Sequence, residues 1–125
     1  MAKAWTNNEL DRVGAAEELV IASVRGDGAL SKPRTIWVVR VDDGIYVRSV
    51  YGPTSDWFRA TRTRQEGHVR AGGVDKDVAF LDADHAVDDQ VDAAYRSKYA
   101  HYAAEIVQAI TSPQASSTTT LLAPR

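Results

Sequence analysis

Three tight turns limit what this chain can fold into. Gly26-Asp27-Gly28, Asp42-Asp43-Gly44 and Gly72-Gly73 each separate two runs rich in β-branched and aromatic residues. Connections this short join antiparallel neighbours, whereas a parallel crossover needs roughly a dozen residues or more. A doubly wound nucleotide-binding sheet is therefore not expected. The runs are Leu19 to Arg25, Arg34 to Val41 with Ala29 to Pro33 leading into it, Ile45 to Val50, His68 to Ala71 and Val74 to Leu81. On the run from Ile45, residues Ile45, Val47 and Ser49 share one face and Tyr46, Arg48 and Val50 the other, so both faces mix apolar and polar side chains. That pattern suits a small barrel better than a sheet with one wet face.

Helical periodicity flanks these strands. Thr6 is placed to cap a helix over residues 6–17, with Leu10 and Val13 at helical spacing and Trp5 where a hydrophobic staple would sit. After Tyr51-Gly52-Pro53, Thr54 or Ser55 can cap a short helix from Asp56 to about Gln65, which Gly67 would end. Asp84 starts a long helical stretch, residues 85–111, that carries Val87, Val91, Ala94, Tyr95 and Lys98, bends near Ala100 and stops at Ser112-Pro113. Residues 116–122 are β-prone and predict a closing strand. The 125 residues leave room for one core. The expectation is a single domain with its barrel over residues 19–82.

Composition removes whole classes of function. With no cysteine there is no disulfide, thiolate nucleophile, zinc finger or iron–sulfur cluster. The 15 Lys and Arg against 17 Asp and Glu give a net charge of -2, and so no general attraction to nucleic acid or an anionic membrane. No apolar run approaches the ~18 residues of a membrane span, and the start has no signal-peptide pattern, so a cytoplasmic location is expected. The charges are unevenly spread, however. Arg34 to Arg70 holds seven Arg against four acids, and Val74 to Asp92 holds seven Asp against Lys76 alone. Either two halves of the molecule pair their charges, or the middle of the chain forms a local anion site.

The stretch that favours an anion site is Ser31-Lys32-Pro33-Arg34-Thr35, two cations and two hydroxyls entering a strand, followed by Ser49 and the Gly52 turn. Arginine and hydroxyls bind phosphate oxygens with geometric specificity, and the start of the Asp56 helix would add N–H donors. The same Lys and Arg can equally keep a strand edge soluble.

Lys32-Pro-Arg-Thr-Ile-Trp-Val-Val-Arg, Tyr46-Val-Arg-Ser-Val-Tyr-Gly, Asp56-Trp-Phe-Arg, Ala71-Gly-Gly-Val and Ala94-Tyr-Arg-Ser-Lys-Tyr carry a resemblance to domain-of-unknown-function family 2255 over nearly the whole chain. More distantly the chain resembles the flavin-binding split barrels, especially the small deazaflavin-dependent reductases. That resemblance implies a mainly β protein with flanking helices, a six-stranded antiparallel split β-barrel. It also implies flavin mononucleotide or a deazaflavin as cofactor, its phosphate near Lys32, Arg34 and Thr35, with Ser49 and Gly52 donating hydrogen bonds and Tyr51 and Trp57 shaping the pocket. The chain departs from those reductases in a shorter segment between Gly52 and Trp57, where theirs carries further glycine and basic residues that help hold the phosphate.

Trp37, Tyr51, Trp57 and Phe58 are candidates for a flat substrate pocket, or for ordinary core packing in the cases of Trp37 and Phe58. His68, His85 and His101 are far apart and have no partner at metal spacing, so no metal is expected; His68 beside Arg70 reads as a hydrogen-bonded structural histidine. Tyr95, Lys98, Tyr99 and Tyr102 form one helical stripe for packing against the barrel or a second subunit. The acidic run from Asp82 to Asp92 reads as helix capping and solvation. The expected function is hydride transfer between a flavin or deazaflavin and a small apolar or aromatic substrate, with a homodimer expected by fold analogy. The alternative is a cofactor-independent enzyme or small-molecule-binding protein that uses the same cleft.

Overall fold

Helix α1 (Asn7–Ala15) begins where the sequence predicts. In the computed structural model, which describes residues 4–125, the Thr6 hydroxyl accepts from the Glu9 N–H while the Glu9 carboxylate accepts from the Thr6 N–H. This reciprocal cap satisfies two otherwise orphaned donors. Trp5 and Leu10 pack into the same core, and the Trp5 indole N–H donates to the Leu122 carbonyl at 2.9 Å.

Seven strands follow: β1 (Leu19–Ser23), β2 (Arg34–Ile36), β3 (Val39–Val41), β4 (Gly44–Val47), β5 (Glu66–Ala71), β6 (Val74–Asp82) and β7 (Thr120–Pro124). They form one antiparallel sheet in the order β2-β1-β5-β6-β7-β4-β3. β2 and β3 are thus its opposite edges, yet only Trp37 and Val38 separate them in the chain. Laid flat, seven strands would hold those edges about 29 Å apart. Three Cα steps span no more than about 11 Å. The sheet must curl until its edges nearly meet, and the result is a split half-barrel with helices on its outside.

The strand count corrects the sequence expectation of six. The run from Arg34 to Val41, read as one strand, is broken at Trp37-Val38 because residues far along the chain take over its backbone bonds. The Tyr99 hydroxyl accepts from the Val38 N–H at 3.1 Å and donates to the Glu17 carbonyl at 2.8 Å, and Lys98 Nζ donates to the Val38 carbonyl at 2.6 Å. Burial pushes the Lys98 ammonium down to about 8. The Gly72-Gly73 turn is as predicted: both glycines have positive φ, 58° and 82°, as a tight hairpin turn requires.

The short helix α2 (Asp56–Arg64) ends at Gln65, which takes the left-handed conformation, φ 57°. Gly67, expected as the helix stop, lies inside β5. The predicted long helix is three pieces, α3 (Asp88–Lys98), α4 (Ala104–Ile110) and α5 (Pro113–Ser116), after a 3₁₀ turn at His85–Val87. Pro113 starts the last piece instead of stopping the one before it, because its ring fits the first helical position while Ser112 caps it. β7 begins four residues later than read and lies between β6 and β4, well inside the sheet.

Two cores result. Leu19, Ile21, Ile45, Val47, Val78 and Leu122 fill the barrel under α1, while Val39, Tyr95, Tyr99, Val107 and Ile110 pack α3 and α4 on the outer face of β3 and β4. The mixed faces read from Ile45 to Val50 follow from this arrangement, since both sides of that strand are covered. Replacing Tyr99 with Phe leaves the buried Val38 N–H unpaired, and should lower stability by about 1–3 kcal/mol, read as a shift in the urea midpoint with an unchanged slope.

Candidate functional site

The break between β2 and β3 opens onto a cavity of about 670 Å³. One wall is Arg34, Thr35, Ile36 and Trp37; the segment from Val50 to Trp57 forms a second; Ile106 and Ile110 of α4 close the third. Most of this lining is apolar and aromatic, with a few polar groups, and the size falls in the range of small-molecule sites. Among the described residues Arg34 has no carboxylate partner within ion-pair distance. Tyr51 stands 74% exposed at the rim.

The start of α2 points its dipole at the same space. Ser55 is the N-cap residue but makes no side-chain capping bond, because its hydroxyl is 2.7 Å from that of Ser49. The N–H groups of the first turn are therefore left for another acceptor. Asp56, in that first turn, adds an opposing negative charge.

Ser49 lies behind this wall. It is fully buried; its N–H donates to Thr118 Oγ1 at 2.8 Å and its carbonyl accepts from the Gly52 N–H at 3.0 Å. Gly52, at φ 81°, packs so closely on Gln114 that a Cβ there would come within 2.3 Å of the side chain. Both residues shape the turn, and neither has a free donor facing the cavity. Lys32 borders a smaller side pocket of about 170 Å³ that shares Arg34, Asp56 and Trp57 with the main one. Phe58 is core: it meets Trp57 edge-on at 6.2 Å and carries the Arg62 guanidinium over its ring at 5.6 Å. Of the residues predicted for the site, Arg34, Thr35, Trp37, Tyr51 and Trp57 share the cavity.

Arg48 is the group that sequence reasoning did not place. Its side chain is fully buried at the edge of the cavity. Nε donates to Thr119 Oγ1 at 2.8 Å, Nη1 to the Asp92 carboxylate and to the Ile110 carbonyl at 3.2 Å, and Nη2 to the Asp88 carbonyl at 3.2 Å. The Asp88 carboxylate lies 3.8 Å away and the Tyr95 ring stacks under the guanidinium at 5.6 Å. Tyr95 is wholly buried, its hydroxyl without a partner among the described residues, and this burial pushes its phenol well above the usual range. The sequence reads Val50 as the end of a strand and Thr54, Ser55 and Asp56 as cap and first turn, none of them as part of a site. Ile106 and Ile110 were legible only as an i, i+4 apolar pair on a helix.

The acidic run divides among several tasks. Asp88 and Asp92 neutralise Arg48, Asp82 pairs with Arg62 and Asp84 caps the 3₁₀ turn, while ahead of the run Asp75 and Asp77 hold His68 between them. Charge pairing between the two halves is therefore extensive, and capping and solvation account for only part of the run. His68 is on β5, outside the cavity, with Nδ1 2.8 Å from Asp77. Asp77 first, then Asp75, hold its imidazole above the usual histidine range. Among the described residues no group of three His, Asp or Glu side chains is arranged to hold a metal ion, and no helix is long and apolar enough to cross a membrane.

The sequence pattern of a bacterial family, described as "Uncharacterized protein conserved in bacteria (DUF2255)", matches residues 9–122. Comparison with curated proteins finds no match in sequence. Among solved structures the chain is similar to a pyridoxamine 5'-phosphate oxidase-like protein of Listeria innocua, with TM-score 0.60, 12% identity, and 95% of this chain and 90% of that one covered. An F420 reductase gives TM-score 0.57 at 11% identity, covering 92% of this chain and 90% of that one. A FAD-binding protein of Mesorhizobium loti gives 0.52 at 16% identity, covering 99% and 91%. At these identities the likeness establishes the fold, a split barrel shared with flavin-binding proteins.

Two outcomes follow from the charges. Arg48→Leu leaves the partly buried Asp92 carboxylate without its counter-ion and should cost about 3 kcal/mol in denaturant unfolding, part of which a second change, Asp92→Leu, restores. His68 binds its proton more tightly folded than unfolded. The stabilisation is thus fully present below about pH 6.5, the unfolded value, and is lost as pH rises through the raised folded value. The urea midpoint of the natural chain should fall over that window by more than that of His68→Gln.

Proposed function

The chain belongs to the DUF2255 family, and from that premise we propose that its cleft binds flavin mononucleotide or a deazaflavin and presents it to a small apolar or aromatic substrate for hydride transfer. One observation supports the reading above all: a single cavity gathers flat aromatic walls, an arginine without a counter-ion among the described residues and the uncapped start of a helix. These are the features that a planar ring system bearing a phosphate requires. When bound, the cofactor supplies the redox chemistry.

The chain's own residues bind and orient. Arg34 forks onto the phosphate, Thr35 and the first-turn N–H groups of α2 add donors, and Lys32 approaches from the side pocket that Arg34 borders. Asp56 repels an anion at the same helix start, which leaves Arg34 as the residue on which phosphate binding depends. Trp57 and Tyr51 cover the ring system from the rim, and Trp37 backs it. Ser49 and Gly52 act indirectly by fixing the turn that carries Tyr51 and Ser55. The short segment from Gly52 to Trp57 favours a second reading, a cofactor-free enzyme or binding protein in which Arg34 grips the acidic group of an aromatic ligand.

Titration with flavin mononucleotide and with the deazaflavin coenzyme, followed by fluorescence, separates the two. Saturable binding is expected for one of them. Arg34→Ala should weaken it roughly ten- to hundredfold, the loss of a charge-assisted bond of about 1.5–3 kcal/mol. Absence of binding by either at near-millimolar concentration leaves the second reading.

A further inference from the structure

Trp37 faces the cleft on one side, and on its other side it begins a line of aromatic rings that ends at the surface. Its indole lies 3.9 Å from the Tyr99 ring at an interplanar angle of 4° and 4.9 Å from the Tyr102 ring. Tyr99 and Tyr102 are 6.0 Å apart, and Tyr95 is a further branch at 6.1 Å. Aromatic pairs in such contact are favourable packing in any core. Core packing alone does not account for the ends of the line, which open on the cleft at Trp37 and on solvent at Tyr102, 36% exposed.

The hydroxyl groups differ in what can take their protons. Tyr102 donates to Glu17 Oε1 at 2.7 Å, and His101 Nε2 stands 3.3 Å from the same oxygen. That hydrogen bond, the largest of several causes, holds the Glu17 carboxyl below the usual range, so it is ionised and free to accept at neutral pH. Tyr99 donates to a backbone carbonyl, a far weaker base, and Tyr95 has no partner among the described residues. Of the three tyrosines, Tyr102 is the one whose hydroxyl donates to a carboxylate, a base able to take its proton.

We propose that Trp37, Tyr102 and Glu17 form a route by which an oxidising equivalent leaves the cleft and comes to rest at the surface. A one-electron oxidant in the cleft, such as a photoexcited isoalloxazine, takes one electron from the Trp37 indole. Tyr102 returns one electron to Trp37 and passes its hydroxyl proton to Glu17. The oxidant is reduced by one electron, Tyr102 is left as a neutral phenoxyl radical, Glu17 is left as a neutral acid, and Trp37 is restored. The inference rests on the redox reading of the cleft, since only such an oxidant gives the route something to carry.

The test supplies its own oxidant. Because the chain has no cysteine, Tyr51→Cys creates a single attachment point at the rim and removes the nearest competing tyrosine. The full chain, labelled there with a ruthenium polypyridyl maleimide, is flashed in the presence of a cobalt(III) ammine as electron acceptor and examined by electron paramagnetic resonance. A tyrosyl signal is expected. Tyr102→Phe in this background should remove most of it, Trp37→Phe should remove it as effectively, and Glu17→Gln should lower its yield; circular dichroism checks that each variant is folded. No tyrosyl signal, a signal that survives Tyr102→Phe, or one indifferent to Trp37→Phe would overturn the route. Flavin titration of the natural chain is independent of the tethered label, so failure to bind flavin refutes the cofactor reading without altering this result.

Discussion

Everything in this fold depends on two residues, Trp37 and Val38, that join the opposite edges of a seven-stranded sheet. An open sheet leaves two rows of unpaired backbone groups and is free to flatten. Here the covalent chain forbids flattening, because the edges cannot separate by more than the reach of that link. The crossing point carries a backbone that neither edge strand can satisfy. A buried N–H without a partner costs more than most single contacts contribute, so the link must be met by something else. Tyr99 and Lys98 meet it, and this explains why a helix packs on the outside of β3 and why Tyr95 and Tyr99 face inward.

A second dependence is electrostatic. Arg48 follows the end of β4 with its side chain fully buried, held by Asp92, Asp88, Thr119 and the Ile110 carbonyl. Burying a guanidinium is costly unless its donors are matched, and three elements or their ends, α3, α4 and the start of β7, supply the match here. The same contacts fix α3 and the end of α4 relative to the barrel. Ile106 and Ile110 become a wall of the cleft only because Arg48 draws the end of their helix inward.

The pattern of what was legible follows from the range of the interactions involved. The Thr6 cap, the Asp42-Asp43-Gly44 hairpin and the Gly72-Gly73 turn are governed by residues within a few positions of one another, and each lies where the sequence puts it. The broken strand was invisible because Tyr99, 61 residues beyond Val38, decides it. Arg48 looked like any barrel-strand cation, since nothing local distinguishes a buried arginine from an exposed one. The acidic run from Asp82 to Asp92 misled in the same way: its spacing suits helix capping, while its partners Arg48 and Arg62 lie far from it in the chain. The resemblance to the split barrels, not any local rule, implied that Arg34, Thr35, Tyr51 and Trp57 lie near one another, and it could not reveal that Ser49 would be spent on Ser55 and Thr118.

Closure and cleft are one feature seen from two sides. The break that lets the chain pass from one sheet edge to the other also leaves a gap between those edges, and the residues flanking the break, Arg34 to Trp37, line it. Trp37 cannot turn away, because its stacking on Tyr99 is part of what holds the crossing point. Arg34 is free to meet a ligand because it belongs to an edge strand of three residues, paired on one side only. A barrel with an unbroken strand here would have no such opening and no reason to keep an unpaired arginine beside it. The geometry that makes the fold possible in 125 residues therefore also fixes where its chemistry can occur.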